Sequence, residues 1–161
     1  MIRAGNEHRK FLRQIFISAN VTGSLYWWKE ADQYRIGCTT NSTSTMHKLA
    51  STPISLECFE IDDFDPSHIT DPITHKVFIE NYIQELELLR KKYLSTKDMA
   101  DWKELIRWLP ESWLQTRTWT ANYEVLRSIY FQRKNHKLSE WRTFCKWIEK
   151  LPYANDLIII N

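Results

Sequence analysis

The stretch WTANYEVLRSIYFQRKNHKLSEW, residues 119–141, decides how the C-terminal half of this chain folds. Asn122, Leu126, Ile129 and Arg133 follow the i, i+4, i+7, i+11 spacing of one helical face. The amide and the guanidinium that end this apolar stripe lie roughly 16 Å apart at about 1.5 Å per residue. That separation fits a polar ligand with two recognisable ends. Asn122 is equally suited to cap a helix and Arg133 to complement a helix dipole, and both alternatives stay open.

The composition limits the classes of function that are open to the chain. The 161 residues have the size of one domain over 1–161, and 22 Lys and Arg face 20 Asp and Glu. This balance argues against a nucleic-acid partner, and the short basic clusters KNHK and RKK are typical of solvated faces. The chain has three Gly and neither GxGxxG nor GxxxxGK[ST], which argues against a glycine-rich phosphate loop.

The cysteines and the hydropathy pattern predict a cellular location. Cys38, Cys58 and Cys145 are odd in number and widely spaced, which favours a reducing compartment over a disulfide framework. Neither CxxC nor HExxH occurs, so we expect no metal site. The apolar runs are short and the chain opens without a signal-peptide pattern, so we expect a soluble, cytoplasmic protein with no membrane partner.

The periodicity predicts an α+β fold. Alternating apolar residues indicate a strand at about 15–21, and irregular structure is expected at 51–72 because of its prolines and acids. Phe78, Tyr82, Leu86 and Leu89 share one side of the longest predicted helix. The predicted helices cover about 24–36, 75–94, 98–108, 119–133 and 138–151. The expected architecture is a small antiparallel sheet flanked by long helices.

The segment TTNSTSTMH, residues 39–47, is the second unusual stretch. Hydroxyls and backbone N–H groups in a polar turn can hold a phosphate, and Arg35 stands just ahead to clamp it. The alternative is an exposed Ser/Thr loop without a ligand.

Together these segments resemble the flavin-dependent thymidylate synthase family, whose signature has the form RHRxxSxNExSxRY. In the register YRIGCTTNSTSTMH, residues 34–47, Asn41 and Ser44 fall on the family's Asn and second Ser, while Arg35 replaces its His. Thr39 stands for the first Ser. Other positions differ: Tyr34 and Ile36 replace the flanking arginines, Ser42 the Glu, and Met46–His47 the closing Arg–Tyr.

The C-terminal half resembles the same family over a longer stretch. Leu109–Pro110 precedes the WTxN text of 119–122, Arg133 follows its Asn by eleven residues, and Glu140 lies in the next helix. Arg107 is displaced by one residue from a family arginine that contacts substrate. Phrases such as YWWKEADQYRIG and NSTSTMHK are similar to a divergent branch of the family often seen in phage genomes.

The resemblance implies reductive methylation of dUMP, or a related pyrimidine nucleotide, to dTMP. Methylenetetrahydrofolate and NADPH would be co-substrates, and reduced FAD would deliver hydride without attack by an enzyme cysteine. Ser44 and Arg133 would be catalytic and bind dUMP together with Arg107. Flavin would be contacted by Arg35, Asn41, His47 and Asn122. The resemblance also implies a homotetramer with pockets between subunits. A catalytically inactive nucleotide-binding or interaction protein on the same scaffold is the alternative.

Overall fold

The structure is a computed structural model that describes residues 2, 5, 7–42, 49–61, 63, 65–69 and 71–160. Its elements follow in the order β1 (Phe16–Ser24), α1 (Leu25–Ala31), β2 (Cys38–Ser42), α2 (Pro72–Thr96), α3 (Met99–Arg107), β3 (Leu114–Asn122), α4 (Tyr123–Arg133), α5 (Ser139–Ile148) and α6 (Ala154–Leu157). Short 3-10 turns cover Lys10–Gln14, Leu49–Ser51, Leu56–Cys58 and Pro66–His68. The predicted α+β class, with a small antiparallel sheet and long helices, is confirmed.

The three strands form one sheet in the order β1-β3-β2. β2 runs antiparallel to β3, with Cys38 opposite Ala121 and Ser42 opposite Arg117. Side chains alternate between the faces of a strand, and in β3 Trp119 and Ala121 are buried. Residues on the other face carry hydroxyls and amides that bond across the strands, such as Ser18 to Thr120 at 2.7 Å.

The chain divides into two compact units, and the prediction of a single domain over 1–161 stays a prediction. Unit 1 comprises Met1–Val21, Trp27–Ser42 and Thr116–Asn161, and unit 2 comprises Thr22–Tyr26 and Thr43–Gln115.

Unit 1 has an aromatic core. Trp27 lies with its ring centroid 4.8 Å from those of both Trp28 and Trp141, and Phe144 stacks on Trp119 at 5.3 Å. Its aliphatic residues come from several elements, and those at most 1% exposed are Leu12, Leu126, Ile129, Ile148 and Ile158. Leu126 and Ile129 are the apolar stripe read from the sequence, so that face is confirmed as buried.

Unit 2 has a separate core, built by α2, α3 and the 3-10 turns. Leu86 and Leu105 are 1% and 0% exposed, and Leu49, Ile54 and Phe59 pack with them. Phe59 also pairs with Trp113 through an isolated β-bridge. Of the apolar side predicted for the long helix, Leu86 is buried and Tyr82 and Leu89 are partly buried. Phe78 lies on the same side, with its ring stacked on Tyr82 at 6.1 Å between centroids, and it is 62% exposed.

Three boundaries predicted from the sequence were wrong. Residues 119–122 belong to β3 and not to a helix, because residues 119–121 pair with β2 and the Asn122 N–H donates to the Gly37 carbonyl oxygen. Thr39–Ser42 are strand and not a polar turn for the same reason. The helix predicted over 24–36 ends at Ala31, where tighter i→i−3 bonds replace helical ones, as in Tyr34 N–H to Ala31 O at 3.0 Å.

Candidate functional site

Arg133, at the last turn of α4, lies in a cluster of unit 1. Its Nη1 donates to Glu30 Oε2 at 2.8 Å and its Nε to the Tyr34 hydroxyl at 2.9 Å. The guanidinium carbon lies 4.8 Å from the ring centroid of Trp141, a cation–π distance. Among the described residues, Nη2 of Arg133 has no hydrogen-bond partner. The cluster therefore holds the guanidinium in one orientation with one nitrogen uncommitted.

Glu30, on α1, is the centre of this cluster. Its Oε2 also accepts a hydrogen bond from Trp141 Nε1 at 2.9 Å, and His136 Nε2 lies 3.6 Å from the same oxygen. The Glu30 side chain is 37% exposed and that of Arg133 is 21% exposed. Since charge-assisted hydrogen bonds are the stronger kind, one carboxylate orients both the arginine and the indole.

Tyr34 connects this cluster to an open pocket in unit 1. The Tyr34 hydroxyl accepts from Arg133 and donates to Gln132 Oε1 at 2.9 Å. The pocket has a volume of about 340 Å³, within the range of small-ligand sites, which begins at about 300 Å³. Its lining residues are Ala31, Asp32, Tyr34, Arg35, Cys38, Thr40 and Trp119. The guanidinium of Arg35 and the hydroxyl of Thr40 are donors suited to a phosphate or a ring carbonyl oxygen.

An ion pair supports one wall of this pocket. Arg117 Nη1 donates to Asp32 Oδ1 at 2.8 Å, and the Arg117 guanidinium carbon lies 4.3 Å from the ring centroid of Trp28. Arg35 Nε donates to the Asp32 carbonyl oxygen at 3.1 Å, so Arg35 is tethered at the rim while its side chain stays exposed. Trp119 is 4% exposed, and its Nε1 has no hydrogen-bond partner among the described residues.

Asn122 is the N-cap of α4, the alternative left open by the sequence. Its Oδ1 accepts from the Val125 N–H at 3.0 Å, and its own N–H donates to the Gly37 carbonyl oxygen at 3.1 Å. Gly37 has φ +80, and a Cβ there would lie 2.5 Å from Asn122 Nδ2. Only glycine fits this approach without a shift of the amide.

The other predicted site residues are distributed over the chain. Asn41 is exposed on β2, opposite Thr118. Arg107 belongs to unit 2, where its Nη1 pairs with Glu104 and its side chain is 54% exposed. Ser44 and His47 lie outside the described residues. Of the predicted set, the structure brings Arg133 and Arg35 near each other through Tyr34, which contacts the first and lines the pocket with the second.

The cysteines are free thiols. Burial, with a smaller contribution from Glu149, raises the pKa of Cys145 to about 11. Because the thiolate is the reactive form, this side chain is a poor nucleophile near neutral pH. Within the described ranges, no group of three or more His, Cys, Asp and Glu is placed to hold a metal ion. The helices of the same ranges include none with the length and hydropathy needed to cross a bilayer.

The sequence alone did not identify Glu30 or Trp141 as site residues. It identified Tyr34 only as the residue that replaces an arginine of the family motif. The hydrogen bonds from Arg133 to Tyr34 and to Glu30, and from Trp141 to Glu30, join positions 99 to 111 residues apart. No local spacing carries that information. The one local signal was a carboxylate, Glu30, on a short helix in which Trp27 and Trp28 are buried.

The comparisons with known proteins support the fold. No protein-family model matches the sequence, and no curated protein matches it. The structure is similar to a crystal structure of thymidylate synthase X (ThyX) from Helicobacter pylori with FAD and dUMP, with TM-score 0.60, 14% identity, and 97% of this chain and 83% of that chain covered. It is also similar to flavin-dependent thymidylate synthase ThyX from Helicobacter pylori complexed with FAD and dUMP, with TM-score 0.59, 15% identity, and coverage of 96% and 83%. The chain therefore has a ThyX-like fold.

Proposed function

We propose that the protein is a flavin-dependent thymidylate synthase-like enzyme that methylates dUMP to dTMP. Methylenetetrahydrofolate is the proposed carbon donor, NADPH the reductant and FAD the bound cofactor. The observation that carries the proposal is a fold likeness over 97% of the chain to an enzyme solved with FAD and dUMP. We further propose the divergent phage-type branch, a homotetramer and a cytoplasmic location.

Two arginines of unit 1 suit the proposed ligands. Arg133, whose Nη2 has no hydrogen-bond partner among the described residues, is proposed to hold the pyrimidine of dUMP. Ser44 and Arg107 are further proposed contacts of dUMP, which rest on the family resemblance. Arg35, with Asn41, His47 and Asn122, is proposed to contact FAD. The pocket of about 340 Å³ beside Arg35 has room for one ring or phosphate group of such a cofactor. When bound, reduced FAD would supply hydride, and the residues of this chain would bind and orient FAD and dUMP.

The environment of Cys145 is consistent with chemistry that uses no thiol nucleophile. Cys145 is buried with a raised pKa, so it is poorly suited to attack a pyrimidine near neutral pH. Covalent catalysis by this thiol is therefore not part of the proposal.

The first test is the visible spectrum of the purified protein. Bound flavin gives a yellow protein, or one that becomes yellow when FAD is added and excess is removed. Arg35→Gln should lower FAD affinity about tenfold, as expected for one charged hydrogen bond. Arg13→Gln, which changes another exposed arginine of unit 1, is the matched control and should bind FAD like the wild type. Formation of dTMP from dUMP with NADPH and methylenetetrahydrofolate then tests catalysis.

A catalytically inactive nucleotide-binding or interaction protein is the second candidate. The observation that favours it is the internal pairing of charges: Arg133 with Glu30, Arg107 with Glu104, and Glu124 with Arg9 at 3.2 Å. It predicts a colourless protein that takes up no FAD. A rise in melting temperature with dUMP would then identify nucleotide binding. Stabilisation by duplex or single-stranded DNA, without any effect of dUMP, would contradict both candidates.

A further inference from the structure

Arg133 is held by more contacts than an exposed helix-end arginine needs. Two of its three guanidinium nitrogens donate to fixed acceptors, Glu30 Oε2 and the Tyr34 hydroxyl, and Trp141 lies against its face. The acceptors are themselves held, because Trp141 Nε1 donates to Glu30 and Tyr34 donates to Gln132. Both the arginine and its supports are therefore fixed.

This arrangement has an electrostatic cost for an anionic ligand. A carboxylate 2.8 Å from Nη1 offsets the positive charge that would attract dUMP, and its negative charge repels the phosphate. A site selected only for attraction of an anion would exclude Glu30. Its presence has to be explained by another contribution, and geometric control of the guanidinium is the one that the contacts provide.

We propose that Glu30 is a positioning residue for Arg133, which it fixes together with Tyr34 and Trp141 so that Nη2 is the nitrogen presented to the nucleotide. The inference rests on the proposed function, because it takes dUMP as the ligand of Arg133. It adds a residue outside the family motifs and a defined donor atom. A guanidinium fixed in this way discriminates by direction, since the two N–H groups of Nη2 point along fixed lines and each meets an acceptor along its own line.

The direction in which one substitution changes dUMP affinity tests this proposal. Glu30→Gln keeps a neutral oxygen acceptor for Trp141 and Arg133, which both donate to Oε2, and removes the negative charge that strengthens the bond from Arg133. If Glu30 were only a neighbouring carboxylate, its neutralisation should tighten dUMP binding. If it positions Arg133, dUMP affinity should fall about tenfold despite the lost repulsion, because the oriented charged contact is worth about that factor. The matched control is Glu124→Gln, which lies on the same helix as Arg133 and breaks an ion pair with Arg9. It should leave dUMP affinity unchanged.

A comparison of Glu30→Gln with and without Arg133 distinguishes positioning of Arg133 from a direct contact between Glu30 and dUMP. In an Arg133→Ala background, Glu30→Gln should change dUMP affinity less than about twofold, because no guanidinium remains to be oriented. An equal loss in both backgrounds, or tighter binding by Glu30→Gln alone, overturns the proposal. Tyr34→Phe removes the second acceptor of Arg133 without any change in charge and should also weaken dUMP binding. This variant keeps the proposal testable if Glu30→Gln folds poorly.

A measurement without nucleotide distinguishes failure of this inference from failure of the proposed function. In ¹⁵N-labelled protein, the Nε–H signal of Arg133, assigned by its loss in Arg133→Lys, should exchange slowly with water. Tyr34→Phe, which removes the acceptor of this N–H, should abolish that protection. Glu30→Gln should reduce it by loosening the guanidinium, and Glu124→Gln should preserve it. A signal without protection in the wild type overturns the positioning. A protected signal in a wild-type protein that binds no dUMP refutes the proposed function and leaves the fixed guanidinium established.

Discussion

Arg133 tests the dUMP assignment at the scale of one side chain. Arg133→Ala should weaken dUMP binding about ten- to hundredfold, because one charged contact is lost. The fold should lose only about 1 kcal/mol, since Glu30 keeps its bond from Trp141 and is 37% exposed. Arg133→Lys should rescue binding poorly, because an ammonium cannot contact Glu30 and Tyr34 in the same plane. Calorimetric titration measures all three proteins, and unchanged affinity in Arg133→Ala would remove the residue assignment.

Gly37 provides a second prediction at this scale, on stability. Gly37→Ala should destabilise the protein by about 2 kcal/mol, because a Cβ there meets Asn122 Nδ2 at 2.5 Å and Val125 Cγ2 at 3.1 Å. Gly5→Ala is the matched control: Gly5 also has a positive φ, +104, but no atom lies within 4 Å of its added Cβ. Urea unfolding of both variants separates the clash from the backbone strain. Equal losses would mean that the contact with Asn122 does not matter.

The residue scale also shows what a sequence can predict. The helical spacing of Leu126 and Ile129 identified a buried face, because burial of a stripe depends on local periodicity. Glu30 was invisible, since it acquires its role from Arg133, 103 residues away. Asn122 was ambiguous for a related reason. One amide can cap α4 and also face a ligand, and the sequence does not say which of its two polar atoms is committed.

At the scale of elements, the start of α4 couples stability to the proposed flavin contact. Asn122→Ala should cost about 1 kcal/mol by loss of the cap to Val125. Asn122→Ser should recover most of that stability, because a serine hydroxyl is an equally good cap. If the amide also contacts FAD, the serine variant should still bind FAD less tightly than the wild type. Thermal unfolding and FAD titration of the two variants check this, and full FAD affinity in the serine variant would limit Asn122 to its capping role.

An ion pair on α2 controls the acid stability of unit 2. Hydrogen bonds from Arg90, 9% exposed and 2.7 Å away, are the main reason that the pKa of Glu87 is lowered to about 2 from 4.5. Because the folded pKa is the lower one, this stabilisation is fully present above about pH 4.5 and lost as the pH falls toward 2. It amounts to at most about 3 kcal/mol.

Glu87→Gln should therefore flatten the loss of stability between about pH 5 and 2. The measurement is urea unfolding of wild type and variant at several pH values in that window. Glu80→Gln, on the same helix, removes a 62% exposed carboxylate that is 3.8 Å from Lys76 and should cost at most about 0.5 kcal/mol at neutral pH. If the free energy of unfolding falls equally steeply between pH 5 and 2 in wild type and Glu87→Gln, the Glu87–Arg90 pair does not contribute to acid stability as proposed.

The strands show why the boundaries of elements were the weaker part of the prediction. Thr39–Ser42 have the composition of a turn, and they became strand because β3 supplies their hydrogen-bond partners from residues 117–120. Such pairing overrides local preference. The helices α2, α3 and α5 were predicted close to their true bounds. For α3 and α5 the signal is an amphipathic run contained in their own sequence, whereas α2 also carries exposed apolar residues such as Ile73 and Leu88.

At the scale of the whole molecule, the remaining prediction is the homotetramer. A site shared between subunits requires assembly at the concentration where ligand binds. Light scattering at micromolar protein should give a mass about four times the 19.4 kDa of the chain. Because assembly stabilises the folded state by mass action, the melting temperature should rise with protein concentration. Exposed apolar side chains on α2, among them Ile73 at 79% and Phe78 at 62%, are the kind of surface that association covers.

Dilution provides the decisive version of this experiment. If the pocket is shared, FAD and dUMP should both dissociate as the tetramer does, and added ligand should shift the assembly toward the tetramer by linkage. The control is Glu124→Gln, which should assemble and bind like the wild type. A 19.4 kDa species that retains FAD and dUMP would place both ligands within one chain and refute the shared pocket. In that case the pocket beside Arg35 and the cluster around Arg133 would have to provide the whole site, because Tyr34 already connects them within unit 1.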